Sequence, residues 1–309
     1  MGELPHMDVL PRMDVAADFV SWPPKSVIYG TDFTASAERA GPYAHLMAKR
    51  FGAALVVAHA FTISQFAMEV EAEATPGAKS AQRKDLEGAL AAAARRFGGG
   101  INRVSPVLIE GDPKDKIPAV AHENAPSLIV LGTRGRNRVG RGVIESSADR
   151  ILRAADGPTL VVGPHVPELV EDAAPIRRVL YATDLSPAAV RSATYAVGIA
   201  EEFGADLEAL HVVHAQEMSD PYKLSEIRKA FHAALEGAIP RYAEGLFEPK
   251  ESIEAGSAHT RILEHVQRFK VDLLVLSVRK SEHTWLRERL SAAFNIIAQA
   301  SCPVITIMG

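Results

Sequence analysis

The stretch LGTRGRNRVGRGVIESSADRIL, residues 131–152, sets five arginines and four glycines between an apolar run and the start of a helical pattern. Arg134, Arg136, Arg138 and Arg141 can close over an anion, while Gly132, Gly135, Gly140 and Gly142 let the backbone come close to it. The first N–H groups of the following helix, around Ser146 and Ser147, have no carbonyl partner within the helix and favour negative charge. The plain alternative is a solvated basic loop in which Ser146 only caps the helix, with Asp149 completing a capping box. The whole chain carries a formal net charge of −4, so the arginines are a local feature with no general attraction to nucleic acid or anionic membrane.

A second group with binding chemistry is Asp32 in YGTDFT. Thr34 takes the helix-capping place two residues later, and the related TDLSP at 183–187 puts Ser186 at the cap and Pro187 at the first helical position. Asp32 is therefore early for the main cap and suits an acceptor for a ribose hydroxyl or an adenine amino group. Use in a structural turn is the alternative.

Both features need rigid elements behind them, and self-comparison of the chain supplies these. Residues 26–60 match 178–212 at an offset of 152, which pairs Asp32 with Asp184 and His59 with His211. GDPKDKI matches GSAHTRI, SLIVLGTRG matches DLLVLSVRK and GPTLVVGP matches CPVITIMG, all at an offset of 145. The chain thus reads as an extension (1–22), a first unit (23–165), the linker PHVPELVEDAAP and a second unit (176–309). In the first unit, strands are expected near 26–31, 54–60, 104–109, 127–132 and 159–163, and helices near 35–51, 80–97, 114–123 and 146–154. The alternation predicts an α/β fold with a parallel sheet, which binds ligands at the carboxyl ends of its strands where strand order reverses. Residues 61–80 read as a mobile connection, with a shorter counterpart near 215–225.

Together these residues resemble the universal stress protein family in its tandem arrangement, over nearly all of 23–309. The resemblance implies two repeats of a five-stranded parallel-sheet, Rossmann-like domain of the adenine nucleotide alpha-hydrolase type. The family pattern is Gly, two residues, Gly, nine residues, then Gly followed by Ser or Thr. Gly132, Gly135 and Ser146 meet it, and Glu145 replaces the third glycine. A carboxylate there repels a triphosphate and restricts the backbone at the helix entrance. The resemblance further implies that Asp32 contacts the nucleoside, that Ala60 lines the adenine, and that Gly30 and Thr31 flank the base. The implied ligand is ATP or a related adenine nucleotide, with or without Mg2+, held as a ligand and not as a redox cofactor.

In the second unit Ser277, Lys280 and Leu290 replace all three glycines, leaving Asp184 and Ser291. It is expected to bind no nucleotide, or to bind it weakly, and to pack against the first unit. The resemblance also implies that the last strands, TLVVG and VITIM, associate across a pseudo-twofold axis, and it extends to a homodimer, which no residue here decides.

Other chemistries lack support. The chain contains no GxxxxGK[ST] loop, GxSxG elbow or HExxH pair, and after its first strand it has GTDFTAS where adenylating relatives carry Ser-Gly-Gly. No enzyme activity is expected, slow ATP hydrolysis being the one activity left open. His59 and His211 read as structural, and HEN at 122–124 has no second half of a metal site. The single Cys302 reads as a core residue in a reduced, cytoplasmic protein, and no apolar run is long enough to span a bilayer. Three functions are weighed: a nucleotide-dependent stress-response regulator, a nucleotide-free interaction and dimerisation module, and, third, a small-molecule carrier using the same crevice for another anion. Glu145 separates the first two.

Overall fold

The computed structural model describes residues 22–62, 78–98, 100–101, 103–134, 137–139, 142–144, 146–169, 176–185, 187–237, 249–278 and 286–308. The first unit comprises β1 (Ser26–Gly30), α1 (Ala35–Arg50), β2 (Ala54–Phe61), α2 (Ala78–Arg95), β3 (Val104–Glu110), α3 (Pro113–Glu123), β4 (Ser127–Gly132), a hairpin of β5 (Asn137–Val139) and β6 (Gly142–Ile144), α4 (Ser147–Ala154) and β7 (Thr159–Val162). The second comprises β8 (Arg178–Thr183), α5 (Pro187–Phe203), β9 (Asp206–Val213), α6 (Ala215–Met218), α7 (Pro221–Glu236), β10 (Lys250–Ala255), α8 (Ala258–Phe269), β11 (Leu273–Val278), α9 (Leu286–Gln299) and β12 (Val304–Met308).

Ten strands form one sheet in the order β10-β9-β8-β11-β12-β7-β4-β1-β2-β3. Each unit contributes five parallel strands, so the expected fold class is observed. The interiors of β1, β4 and β7 are buried because helices cover both faces of the sheet, which is why their sequences run apolar without alternation. In the first unit Val27, Tyr29, Val130 and Met47 of α1 share one core, while Ile28, Ile129, Ile117 of α3 and Ile151 of α4 share another. α1 starts where the Thr34 side chain accepts the Ala37 N–H, and α3 starts where Asp112 caps it with Pro113 at the first helical position.

β7 and β12 pair antiparallel, with Val161 opposite Val304 and Thr159 opposite Thr306, whose Oγ1 donates to the Thr159 carbonyl at 3.2 Å. Beside this junction α1 meets α5. Arg50 Nε donates to the Glu202 carbonyl at 2.7 Å, and the Phe51 and Phe203 rings lie 6.1 Å apart. Trp22, which the sequence places at the end of the extension, wedges edge-on between Phe51 (5.1 Å) and Tyr195 (5.0 Å). The first half of the linker is pinned to α1: Arg39 donates to the Gly163 and Pro164 carbonyls and the Tyr43 hydroxyl donates to Pro167.

Two expectations need correction. The arginine-glycine stretch contains the two-stranded antiparallel ladder β5–β6, in which Asn137 stands opposite Ile144, Arg138 opposite Val143 and Val139 opposite Gly142. Residues 215–225 hold α6 and the first turn of α7, which Asp220 caps through hydrogen bonds from the Tyr222 and Lys223 N–H groups. Of the expected mobile connection, Phe61 belongs to β2 and 78–80 to α2, while 63–77 lie outside the described residues.

Candidate functional site

After β1 the chain crosses through α1 to β2 on one face of the sheet, and after β4 it crosses through α4 to β7 on the other. The carboxyl ends of adjacent β1 and β4 therefore bound the crevice that a doubly wound sheet offers a ligand.

On the β1 side the turn Thr31–Thr34 is fixed at every residue. The Thr31 N–H donates to the Ala58 carbonyl (2.9 Å), its Oγ1 accepts the Phe33 N–H (3.1 Å), and His59 Nδ1 lies 2.7 Å from its carbonyl oxygen. Phe33 takes a left-handed backbone, φ 58°, and its ring rests 4.7 Å from that of His59. The second unit repeats the device with Thr183, Leu185 (φ 58°) and His211, 2.9 Å from the Thr183 carbonyl. The two histidines thus hold the strand-end turns.

Asp32 is exposed, and its Oδ1 accepts both the N–H (3.0 Å) and the hydroxyl (2.6 Å) of Thr34. It therefore buttresses the cap of α1 with one oxygen, and among the described residues no hydrogen bond reaches Oδ2. Gly30 ends β1 and Ala60 is the last residue but one of β2. A Cβ on Gly30 would sit 2.7 Å from Leu131 Cδ2, and Ala60 is buried.

On the β4 side the structure gives a packing reason for Gly132. A Cβ there would lie 1.9 Å from the Ser36 carbonyl oxygen and 2.9 Å from Ala37 Cα, so α1's own backbone comes close at this position. Thr133 follows, buried, with its N–H donating to the Val162 carbonyl (3.0 Å) and its Oγ1 3.5 Å from Ser146 Oγ. Ser146 and Asp149 complete the capping box, each side chain accepting the other's N–H at 3.1 Å. That leaves the N–H groups of Ser147 and Ala148, which have no carbonyl one turn back within the helix. The structure thus brings Gly30, Thr31, Asp32, Ala60, Gly132, Ser146 and Ser147 to the ends of neighbouring strands. Arg134 is exposed two residues beyond β4, and Gly135, Arg136 and Glu145 lie outside the described residues.

Sequence reasoning missed two contributors. Thr133 was hidden between the glycines of the motif, and Asp112 served only to align the repeats. Asp112 Oδ2 takes Arg150 of α4 at 3.0 Å, tying the helix that presents Ser146 to the start of α3. The Lys114 N–H that Asp112 accepts, and then the Arg150 guanidinium, hold its carboxyl below the ordinary value of 3.8. A carboxylate with a lowered folded-state value stabilises the fold above its unfolded value and loses that contribution as pH falls through the folded one. Asp112→Asn should therefore flatten the acid limb: as pH falls below about 4, its Tm should fall less than that of the parent in a thermal-melt series.

The second unit differs at the equivalent strand end. Ser277 occupies the place of Gly132, with a buried hydroxyl that finds no hydrogen-bond partner among the described residues. Lys280 lies outside them, as do the side chains of Leu290 and Ser291. Among the described residues no group of three or more His, Cys, Asp or Glu could hold a metal ion, and no helix is long and apolar enough to cross a membrane. Cys302 is buried, and burial pushes its thiol up to about 12.

Comparison with known proteins gives consistent matches. The Universal stress protein family matches twice, over 24–163 and 175–307. A universal stress protein in the QAH/OAS sulfhydrylase 3′ region of Thermus aquaticus is 29% identical over 140 residues, 45% of this chain and 98% of that protein. The crystal structure of a universal stress protein from Archaeoglobus fulgidus superposes with TM-score 0.65 at 18% identity, covering 93% of this chain and 99% of that one. The structure of a putative universal stress protein from Pseudomonas aeruginosa does so with TM-score 0.56 at 16% identity, over 92% of this chain and 93% of that one.

Proposed function

Because this chain belongs to the universal stress protein family, with two of its units in tandem, we propose that the first unit (23–165) binds an adenine nucleotide and acts as a nucleotide-dependent stress-response regulator. In this reading the phosphates meet the N-terminus of α4 through the Ser147 and Ala148 N–H groups and the hydroxyls of Ser146 and Thr133. Asp32 Oδ2 accepts from the ribose, and Gly30, Thr31 and Ala60 border the base. Gly135, Arg134 and Arg136 extend the phosphate side. ATP is the ligand proposed, with Mg2+ as a counter-ion where it is bound. The second unit (176–309) acts as packing partner, and the place of action is the cytoplasm.

One observation carries this reading: two sets of polar groups, the Asp32 turn and the α4 N-terminus, converge at the carboxyl ends of adjacent β1 and β4. Binding is proposed without turnover, since His59 Nδ1 is committed to the Thr31 carbonyl and capping engages Ser146 with Asp149.

Mass spectrometry of small molecules released on denaturation, followed by calorimetric titration with ATP, ADP, AMP and cyclic AMP with and without Mg2+, tests the proposal. Adenine nucleotide at one per chain is the expected result, and the absence of both released nucleotide and binding heat would overturn the proposal. Asp32→Ala should weaken nucleotide binding about tenfold, the worth of one hydrogen bond to a charged group. Unchanged affinity would remove Asp32 from the site.

A further inference from the structure

A cavity of about 830 Å³ opens far from these groups, at the amino-terminal ends of β8, β9 and β10 and the carboxyl end of α8. Apolar side chains lie at its floor: Val179 and Leu207 at the starts of β8 and β9, and Val271 in the turn between α8 and β11, all three buried. Its rim is charged, with Arg178, Lys250, Arg268 and Lys270 set against Asp206 and Glu208.

Pairing within the rim decides which charge is left for a ligand. Glu208 Oε1 receives Lys250 Nζ at 3.0 Å and the Ser252 hydroxyl at 2.5 Å, so Lys250 and Glu208 satisfy each other. Arg178 donates one N–H to the Phe269 carbonyl at 2.8 Å, which fixes its guanidinium at the mouth while most of its five donors stay available. Arg268 lies 5.0 Å over the Phe269 ring, and neither it nor Lys270 makes an ion pair among the described residues. Three cations thus face the single carboxylate of Asp206.

Size excludes a bare inorganic anion as the best occupant. The volume falls in the range of roughly 300–1,000 Å³ that suits small organic ligands, and an apolar floor gives a phosphate ion nothing to bind. We propose that this groove binds a small organic anion, an apolar acyl or aryl body on the strand starts with its acidic head held by Arg178, Arg268 and Lys270. The site lies in the second unit and at the opposite ends of its strands, so it stands or falls independently of nucleotide binding in the first.

The test is a fluorescence titration of the full chain with 8-anilinonaphthalene-1-sulfonate, competed by octanoate and by inorganic phosphate. Octanoate should displace the probe at concentrations where phosphate does not. The doubly reversed variant Arg268→Glu with Lys270→Glu should weaken octanoate about tenfold or more, since it removes two charge-assisted contacts. Both side chains are exposed, so the fold should survive, which far-UV circular dichroism checks. Asp206→Lys gives an arm of opposite sign and should tighten binding. Equal octanoate affinity in parent and variants overturns the proposal, as does displacement by phosphate as efficient as by octanoate, which would mean binding by charge alone.

Discussion

Replacing Gly132 with alanine should cost about 3 kcal/mol of stability or more, at or above the upper end of ordinary overpacking. The new Cβ would meet the Ser36 carbonyl oxygen at 1.9 Å and Ala37 Cα at 2.9 Å. Both are backbone atoms in the first turn of α1, so no rotamer change relieves the contact, and the helix must lift from β4. The lift also carries Thr34 and the Asp32 carboxylate hydrogen-bonded to it, so nucleotide affinity should fall with stability. Urea unfolding followed by circular dichroism measures the first effect. A midpoint unchanged from the parent would mean that α1 shifts at little cost, and that Gly132 is not held by packing.

Trp22→Ala is the second large effect: the ring is partly buried against the core, so the expected loss is about 2–3 kcal/mol, below the range for a fully buried aromatic. The indole contacts Phe51 at the end of α1 and Tyr195 of α5, and a Cβ on Gly198 would lie 2.4 Å from its Nε1. Small residues in α5 thus make room for the ring. The Nε1 is buried without a hydrogen-bond partner among the described residues, so what the side chain contributes is shape and apolar area. Trp22→Phe should accordingly retain more than half of what Trp22→Ala loses. Chemical denaturation of the two variants side by side decides it, and equal losses would show that a phenyl ring recovers none of the indole's packing.

The sheet was legible because buried parallel strands write themselves as apolar runs. SVIYG, SLIVLG and TLVV differ from their expected bounds by at most one residue. Caps were equally legible: Thr34 and Ser146 start their helices where the side-chain chemistry says they should. The hairpin at 137–144 escaped because three-residue strands are too short to show a period and glycines dominate the composition. α7 escaped although Asp220-Pro221 is a helix start, because the offset between repeats suggested a mere shortening. The partner of Gly132 was beyond sequence reasoning in kind. A glycine signals that some backbone comes close, and only the packed fold says whose. The same holds for Trp22 and for the rim of cations around Phe269, which residues distant in the chain assemble.

The antiparallel pairing of β7 with β12 has a consequence for how the protein behaves on dilution. Two separate chains joined along such an edge would part as their concentration fell, since their association is bimolecular. Here the same hydrogen-bonded seam closes within one covalent chain, and the tether replaces bulk concentration with a fixed local one. The paired state therefore persists at any copy number, and a cell could vary the amount of this protein over a wide range without changing the fraction in which the two halves are joined.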